Sequence, residues 1–401
     1  MLTNLKSKKV ILRVDFNVPI NDDGLISDEN RIVKSLSTIN NLIQQKARII
    51  LMSHLGRPLK ELNEDGSINL KKFSLKPVAD RLAQLVNTRV LFASDCGADD
   101  SKTKISELKD GEIVLLENTR FQKQEEKGDS VWAESLSGLA EYYINDAFGA
   151  AHREHATTAT IARFYNREHK SFGILMHAEL KNASKILDHP QRPLTAVVGG
   201  AKVSDKIELL HNLIDLCDNI IIGGGMSYTF FASKGIPIGK SLCELEKLDL
   251  ARDILKRAEE KNCKLFLPID SLCADRFAND VEVIRMDDQS IPDNLMALDI
   301  GPKSIELFKS IILNSKTIVW NGPMGVFEMS NFENGTKQIA LAVAIVTMNQ
   351  SAFSLIGGGD SVAALNKFNL KDSVSFVSTG GGAMLELLEG KVLPGVEAML
   401  L

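Results

Sequence analysis

The 401-residue chain repeats one unit along its whole length: an apolar run, a turn rich in glycine and polar residues, and an amphipathic segment. Continuously apolar runs predict strands that are covered on both faces, as in a parallel sheet. The runs are "KVILRVDFNVP", "ARIILMSHLGRP", "TRVLFASDCG", "EIVLLENTRF" and "YYINDAFG" in the first half, and "TAVVGG", "NIIIGGGM", "KLFLPID", "TIVWNGPMG", "FSLIGGGDS" and "VSFVSTGGG" in the second.

The segments between these runs predict helices, because their apolar side chains recur at helical spacing. Examples are Ile32, Leu36, Ile39 and Ile43, then Leu75, Val78, Leu82 and Leu85, and later Ile207, Leu210 and Ile214. Alternating strands and helices predict an α/β fold, and a chain of this length exceeds the size of one hydrophobic core. We therefore predict two α/β domains, each built on a parallel sheet, with a connecting helix within residues 171–190.

Composition narrows the classes of function. A formal net charge of −5 argues against nucleic-acid binding, which needs a basic face. The apolar runs are too short to span a membrane, and Arg13 and Asp15 interrupt the first run before a signal-peptide core could form. We therefore expect a cytoplasmic protein. The five cysteines contain no C-x-x-C pair and predict buried or free thiols, and the seven histidines form no metal-spaced cluster.

The turns after the strands form the predicted site, because open parallel sheets bind ligands outside the carboxyl ends of their strands. In the first half these turns are rich in arginine, which suits phosphate and carboxylate groups. In the second half they hold glycine clusters and a carboxylate, as expected for a polyphosphate with a divalent cation. The polar residues of the first half are Asp15, Asn17, His54, Arg57, Arg120 and Arg153, with Arg31 at the start of the next helix.

Two lysines stand four residues apart in "TAVVGGAKVSDKIELL", where a helix is predicted to begin. Lys202 and Lys206 oppose the helix dipole there, which indicates an anionic ligand. The alternative is that both side chains only extend into water.

The glycine loops do not match the common nucleotide motifs. "GIPIGKS" has three residues where a P-loop needs four, and no cluster completes the dinucleotide fingerprint G-x-G-x-x-[GA]. In "LIGGGDSVAALNKF", Asp360 or Ser361 could serve only as a helix N-cap. Two further glycine loops, "GGGM" and "STGGGA", favour a shared nucleotide site instead.

Taken together, these segments resemble the phosphoglycerate kinase family over essentially the whole chain. The matching motifs, in order, are "RVDFNVP", "SHLGRP", "ENTRF", "INDAFGAAHREHA", "GGAKVSDKI", "GGGM", "LDIGP", "WNGPMGVFE", "GGGDS", "STGGGA" and "LEGKVLPGV". The resemblance implies an α/β protein of two Rossmann-like, doubly wound parallel-sheet domains joined by a helix. It also implies a cytosolic, generally monomeric glycolytic enzyme. Its reaction would be reversible phosphoryl transfer between 1,3-bisphosphoglycerate and MgADP, giving 3-phosphoglycerate and MgATP.

The resemblance also implies a domain layout and a set of site residues. We expect a 3-phosphoglycerate-binding domain over residues 1–170, to which residues 388–401 return, a linker helix over 171–190 and a nucleotide-binding domain over 191–387. The substrate would contact Asp15, Phe16, Asn17, Arg31, His54, Leu55, Gly56, Arg57, Arg120 and Arg153. The nucleotide would contact Lys202, Lys206, Gly224, Asn321, Glu328, Gly358, Gly359, Asp360 and Ser361, with Asp360 as the Mg²⁺ ligand. The catalytic set would be Arg31, Lys202, Lys206, Gly381 and Gly382.

Two segments depart from the family pattern. Family members commonly have "ENLRFH" where this chain has "ENTRFQ", so Thr119 and Gln122 are atypical, although Arg120 is retained. A tryptophan often found just before "LDIGP" is also missing, which concerns packing near the adenine more than the chemistry.

The chemistry of this reaction explains why no acid–base pair stands out in the turns. A carboxylate that attacks a phosphoryl group is already ionised at neutral pH, so positioning and charge neutralisation must supply the catalysis. We expect in-line transfer, with domain closure to bring the two substrates together. Two alternatives are an NAD-dependent oxidoreductase on a similar sheet and a catalytically silent nucleotide-binding scaffold of the same fold.

Overall fold

Two six-stranded parallel sheets organise the chain, one in each of the two units into which it divides. The computed structural model describes residues 2–21 and 23–401. The first unit contains the residues up to Leu180 together with Val392–Leu401, and the second contains Lys181–Lys391. The boundary lies inside helix α7 (Ile174–Leu187), which falls within the segment where a helix is predicted.

The first unit is built on a sheet with the strand order β3-β4-β2-β1-β5-β6, in which every neighbouring pair is parallel. The strands are β1 (Lys9–Arg13), β2 (Arg48–Met52), β3 (Val90–Phe92), β4 (Ile113–Leu115), β5 (Tyr142–Asn145) and β6 (Lys170–Phe172). Its other helices are α1 (Asn30–Gln44), α2 (Leu70–Phe73), α3 (Lys76–Leu85), α4 (Asp99–Glu107), α5 (Lys123–Glu126), α6 (Ser130–Ser137) and the C-terminal α15 (Pro394–Leu400).

The second unit contains a parallel sheet and a smaller antiparallel one. The parallel strands are β7 (Leu194–Val198), β8 (Asn219–Ile222), β9 (Lys264–Phe266), β13 (Thr317–Asn321), β14 (Phe353–Gly357) and β15 (Phe376–Val377). They lie in the order β15-β14-β13-β7-β8-β9. The antiparallel strands β10 (Ser271–Ala274), β11 (Ile284–Met286) and β12 (Met296–Ile300) lie in the order β11-β10-β12. The helices are α8 (Ile207–Leu216), α9 (Met226–Ser233), α10 (Leu248–Glu260), α11 (Pro302–Leu313), α12 (Asn334–Gln350), α13 (Gly359–Lys367) and α14 (Gly382–Leu388).

The predicted α/β fold with two parallel sheets is confirmed, and each apolar run contributes a strand. The antiparallel sheet was not foreseen. Its strands are short, β11 is only half-buried, and the ladder between β10 and β12 shifts register at Leu272 and Cys273. Such strands lack both the alternating pattern and the continuous apolar run that identify a strand from sequence.

Burial on both faces explains the continuously apolar runs. In β1, Val10 and Leu12 belong to one apolar cluster, whereas Ile11 between them belongs to another. Strand β2 alternates in the same way, with Ile49 and Leu51 in the first cluster and Ile50 in the second. Successive side chains of a strand point to opposite faces, so a central strand covered on both sides must be apolar at every position.

Each of the two parallel sheets has one point where the strand order reverses. From β1 the chain builds outward through β2 on one side and later through β5 on the other. From β7 it builds outward through β8 on one side and later through β13 on the other. Ligands of doubly wound sheets bind in the crevice at such a switch point, so the turns after these strands are where a site is expected.

The C-terminal residues 392–401 pack within the first unit. The Gly395 amide donates to Ala151 O at 2.8 Å, and Asn145 Nδ2 donates to Gly395 O at 3.2 Å. The buried Lys170 ammonium donates to Ala398 O at 3.0 Å. Ala398 and Met399 also join an apolar cluster of this unit.

Deleting residues 392–401 should destabilise the first unit selectively. The deletion removes one of two acceptors from the buried Asn145 amide and one of two from the buried Lys170 ammonium. A lost hydrogen bond typically costs about 0.5–1.5 kcal/mol, and about 1.5–3 kcal/mol at a charged group. Hydrogen-exchange mass spectrometry should therefore show faster exchange in β5 and β6. Deleting Leu401 alone, whose side chain is exposed, is the control. Unchanged exchange in the longer deletion would contradict this prediction.

Candidate functional site

An ion pair at the first switch point joins the turn after β1 to helix α1. Asp15 is buried and its Oδ2 lies 2.8 Å from Arg31 Nη1. The other carboxylate oxygen of Asp15 accepts from the Asn17 amide at 3.2 Å. Asp15 therefore orients the half-buried guanidinium of Arg31 while it also holds the turn.

Asn17 and Arg120 both bind the backbone of Gly56, in the turn after β2. Asn17 Oδ1 accepts from the Gly56 amide at 2.8 Å, and Arg120 Nη1 donates to Gly56 O at 2.7 Å. Gly56 has a φ of +60°, and a Cβ there would lie 2.5 Å from the ring of Phe73. Glycine is needed at this position, and the turns after β1, β2 and β4 are tied together through it.

Electrostatics keep the histidines of this cluster neutral. His54 is buried, and burial together with the guanidinium groups of Arg120, Arg13 and Arg31 holds its pKa well below the ordinary value. Burial and the same kind of neighbours lower the pKa of His155 to about 3. Burial and Arg153 lower the pKa of Arg120 to about 10, so that Arg120 remains a cation at neutral pH.

The other predicted substrate residues of this unit take different positions. Arg57 is exposed, and the half-buried Arg153 donates through Nε to His152 Nε2 at 3.1 Å. Phe16 and Leu55 place their side chains in the apolar core. Only their backbones are available to the turns.

Glycine backbones interlock at the second switch point. The Gly199 amide donates to Asn321 O at 3.0 Å, and the Gly224 amide donates to Met324 O at 2.9 Å. Gly224 has a φ of +71°, and a Cβ there would lie 2.6 Å from Gly200 O. The turns after β7, β8 and β13 therefore pack backbone against backbone, which leaves no room for side chains.

A cleft of about 370 Å³ lies over these turns. Inside it the Lys206 ammonium donates to Asn321 Oδ1, and burial lowers the Lys206 pKa. Lys206 is the N-cap residue of α8, and Lys202 is exposed in the loop before it. The lining residues are Gly199, Gly200, Ala201, Lys202, Asp205, Lys206, Asn321, Gly322, Gly358, Gly359, Asp360, Gly381, Gly382 and Leu385.

Helix α13 begins at this cleft without a side-chain cap. Its N-cap is Gly358, with a φ of +85°, so the alternative that Asp360 or Ser361 serves as the N-cap is wrong. The buried Ser361 hydroxyl instead accepts from the Gly322 amide at 2.6 Å, and Asp360 is exposed. The first-turn amides of a helix have no partner within the helix, so Gly359 and Asp360 can present N–H groups to an anion.

A larger cleft of about 510 Å³ adjoins the first and shares Gly200, Ala201 and Asp360 with it. Most of its other lining side chains are apolar, which suits a flat aromatic group. Glu328 is exposed at this cleft. The lining also includes Gly224, Tyr228, Lys240, Leu242, Phe277, Met296, Leu298, Asp299, Met324 and Val326.

Sequence reasoning missed several residues of these sites. Arg13 is a cation at the end of the apolar strand β1, and that position was the available signal. Glu125, which pairs with Arg13, and His155 are also buried beneath the first cluster. Asp299 lines the larger cleft, and burial raises its pKa to about 8. Nothing in the sequence marks a carboxylate as buried.

The described residues also show how the potential metal ligands, the cysteines and the apolar helices are arranged. Within residues 2–21 and 23–401, no three His, Cys, Asp or Glu side chains group as a metal site. The five cysteines are unpaired thiols, four of them buried. Over the same residues, no helix has both the length and the apolar surface that crossing a membrane requires.

Comparison with known proteins identifies the family. A family model described as phosphoglycerate kinase matches residues 2–391. The phosphoglycerate kinase of Prochlorococcus marinus is 48% identical over 396 residues, covering 99% of this chain and 96% of the relative. That of Porphyromonas gingivalis is 46% identical over 419 residues, covering 99% and 98%.

Solved structures agree with the sequence relatives. The structure of phosphoglycerate kinase from Coxiella burnetii superposes with a TM-score of 0.89 at 41% identity, covering 99% of this chain and 97% of that one. The enzyme from Pyrococcus horikoshii superposes with a TM-score of 0.81 at 30% identity, covering 100% and 98%.

These matches extend over nearly the full length of both partners. The oxidoreductase and silent-scaffold alternatives find no support among them, since each relative named here is a phosphoglycerate kinase. The chain therefore belongs to the phosphoglycerate kinase family, the glycolytic enzymes that transfer a phosphoryl group reversibly between 1,3-bisphosphoglycerate and ADP.

Proposed function

We propose that the first unit binds 3-phosphoglycerate or 1,3-bisphosphoglycerate and that the second binds ADP or ATP with Mg²⁺. The observation that carries this assignment is the contrast between the two switch points. Arginine side chains line the first, whereas glycine backbone and a half-buried lysine line the second. The proposed domains are residues 1–170 with 388–401 and residues 191–387, with residues 171–190 as the linker. In the structure, the chain passes from one compact unit to the other after Leu180 and again after Lys391.

The arginines of the first unit suit a ligand with two anionic ends. Arg31 and Arg120 are held in fixed orientations by Asp15 and by Gly56 O, so little side-chain entropy is lost when an anion binds. Arg57 and Arg153 would supply further cations, and Asn17 and His54 neutral polar contacts. Arginine side chains can bind phosphate and carboxylate groups through two parallel hydrogen bonds, and their positive charges neutralise both ends of such a ligand.

The two clefts of the second unit would bind different parts of the nucleotide. The larger, mostly apolar cleft suits the nucleoside, with Glu328 as an acceptor for ribose hydroxyls. The smaller, glycine-lined cleft suits the phosphates, which would meet Lys202, Lys206 and the amides of the glycine loops. Asn321 already binds Lys206 and so positions its ammonium. Gly381 and Gly382 would lie near the transferred group.

Catalysis would come from positioned charge rather than from proton transfer. The attacking carboxylate of 3-phosphoglycerate is ionised at neutral pH and needs no general base. Arg31 and Lys206 would clamp the phosphoryl group in line between donor and acceptor, and Lys202 would share its charge. Burial makes the Lys206 cation costly until phosphate arrives, so its charge is best satisfied with nucleotide bound.

Asp360 is the proposed ligand for Mg²⁺. The carboxylate is exposed at the junction of the two clefts, and no side-chain cap of α13 ties it down. Mg²⁺ is commonly held by one or two carboxylates together with substrate phosphates and water, so a single aspartate fits. Bound Mg²⁺ would neutralise phosphate charge during transfer. We further propose a cytoplasmic monomer that binds no nucleic acid.

Arg31→Ala should lower turnover strongly. Loss of one preorganised donor to the transferring group typically costs about 10²–10³-fold in rate. The assay is consumption of 3-phosphoglycerate with MgATP, coupled to NADH oxidation through glyceraldehyde-3-phosphate dehydrogenase. Arg48→Ala is the matched control, because Arg48 also pairs with an aspartate, Asp110, but lies at the amino end of β2. Unchanged turnover in the Arg31 variant would remove Arg31 from the clamp.

Asp360→Asn should weaken nucleotide binding only when Mg²⁺ is present. Loss of a charged ligand contact is expected to reduce MgATP affinity about tenfold or more, measured by titration calorimetry. Affinity for ATP in EDTA should not fall, because the repulsion between carboxylate and phosphate is removed. Asp205→Asn is the control, since Asp205 lines the same cleft without a proposed role. An equal loss in both variants would argue against Asp360 as the metal ligand.

Transfer also requires that the two bound substrates meet. Closure on binding is a prediction from the chemistry of the reaction, because water must be excluded from the phosphoryl group in transit. Small-angle scattering should show compaction with 3-phosphoglycerate and a non-hydrolysable MgATP analogue together, and less with either alone. An unchanged radius of gyration with both ligands bound would count against closure.

A further inference from the structure

A buried ion pair lies beneath the proposed substrate turns and takes no part in the reaction described above. Arg13 ends strand β1 and is fully buried, as is Glu125, whose Oε1 lies 3.7 Å from Arg13 Nη2. A buried pair of this kind is expensive to desolvate and is a weak source of stability. Its contacts with neighbouring side chains indicate what else it does.

The Arg13 guanidinium is fixed by a contact at each of its nitrogens. Nε donates to Thr157 Oγ1 at 2.8 Å, and Nη1 donates to Val14 O. Nη2 lies 3.2 Å from His54 Nδ1. Thr157 and the Val14 carbonyl therefore hold Nε and Nη1 of the guanidinium, and Nη2 faces the imidazole of His54.

Glu125 is held just as firmly. Its Oε1 accepts from Thr157 Oγ1 at 2.6 Å and from Thr119 Oγ1 at 3.1 Å. Its Oε2 accepts from the Thr157 amide at 2.9 Å. Both oxygens are thus satisfied by neutral donors, which fix the position of the carboxylate beside the guanidinium of Arg13.

The contact between Arg13 and His54 determines where the imidazole proton is. A guanidinium can donate hydrogen bonds but cannot accept them, so Nδ1 of His54 must be the acceptor and carries no proton. A doubly protonated ring is disfavoured by burial and by the cations Arg120, Arg13 and Arg31 around it, with His155 also nearby. The single proton of a neutral ring must then be on Nε2.

We propose that Arg13 is a positioning residue that holds His54 in the Nε2–H tautomer, so that the imidazole offers an N–H donor to the anionic substrate. This inference rests on the proposed contact between His54 and 3-phosphoglycerate. In the other tautomer Nε2 would carry a lone pair, which repels a carboxylate or phosphate oxygen. Arg13 thus acts on substrate binding through the histidine and not by touching the substrate.

The tautomer of His54 can be observed directly by NMR. In the full chain labelled with ¹⁵N-histidine, long-range ¹H–¹⁵N spectra separate protonated from unprotonated ring nitrogens. His54→Asn identifies the His54 signals by their loss. At neutral pH we expect an unprotonated Nδ1 and a protonated Nε2. A protonated Nδ1, or a doubly protonated ring, would overturn the proposal whatever the variants below show.

Two sets of variants connect the tautomer to binding. Arg13→Met combined with Glu125→Gln removes both buried charges together, and should give His54 signals averaged between tautomers. The KM for 3-phosphoglycerate should rise about tenfold, the usual effect of losing a hydrogen bond to a charged group, with a smaller change in kcat. Unchanged His54 signals and an unchanged KM in this variant, if folded, would also overturn the proposal.

The second set of variants replaces His54 and leaves Arg13 unchanged. Glutamine carries its amide at about the reach of the imidazole Nε2, and asparagine at that of Nδ1. His54→Gln should therefore retain several-fold more affinity for 3-phosphoglycerate than His54→Asn. Equal affinities would mean that a donor at Nε2 is not what the substrate requires.

Titration of the labelled wild type with 3-phosphoglycerate separates this inference from the proposed function. If the His54 nitrogens have the expected protonation but do not shift on saturation, the substrate contact fails and with it the proposed role of the tautomer in binding. If they shift, and the variants behave as expected, both hold. Circular dichroism melts of each variant identify losses that come from unfolding.

Discussion

Parallel pairing at the centre of each sheet is the constraint on which the rest of the structure depends. Strand β1 lies between β2 and β5, and β7 lies between β8 and β13, with all these pairs parallel. Parallel pairing places the carboxyl ends of neighbouring strands at one edge. Turns that are far apart in the chain, such as those of Asp15, Gly56 and Arg120, therefore meet there and bind one another.

The same arrangement produces two sites of different chemistry. In the first unit the turns carry long cationic side chains, and buried or partly buried acceptors hold them, as Asp15 holds Arg31. In the second unit the turns approach so closely at Gly199, Gly224 and Gly322 that only glycine fits, and backbone amides are the groups left to face a ligand. A sugar acid with anionic ends suits the first kind of site, and a nucleotide polyphosphate suits the second.

The comparison between pattern and structure is informative where they differ. The six parallel strands of the second sheet were evident because each lies in an apolar run that ends in a glycine-containing or polar turn. Strand β11 was not evident, because it is short, half-exposed and has the charged Arg285 at its centre. Among site residues, the exposed Asp360 and the glycine loops were identifiable from their position after strands. Glu125 was not, because its role depends on burial beside Arg13 and on hydroxyl groups from Thr119 and Thr157, which come from separate parts of the chain.

The amino-acid pattern by itself determined the α/β class, the two parallel sheets, the helix at their junction and the family. These follow from local periodicity and from short motifs, both of which act over a few residues. Only the tertiary structure decided the strand order, the use of Ser361 to hold Gly322 rather than to cap α13, and the neutral state of His54. Each of these depends on which distant groups become neighbours, because hydrogen-bond partners and desolvation are properties of the packed chain.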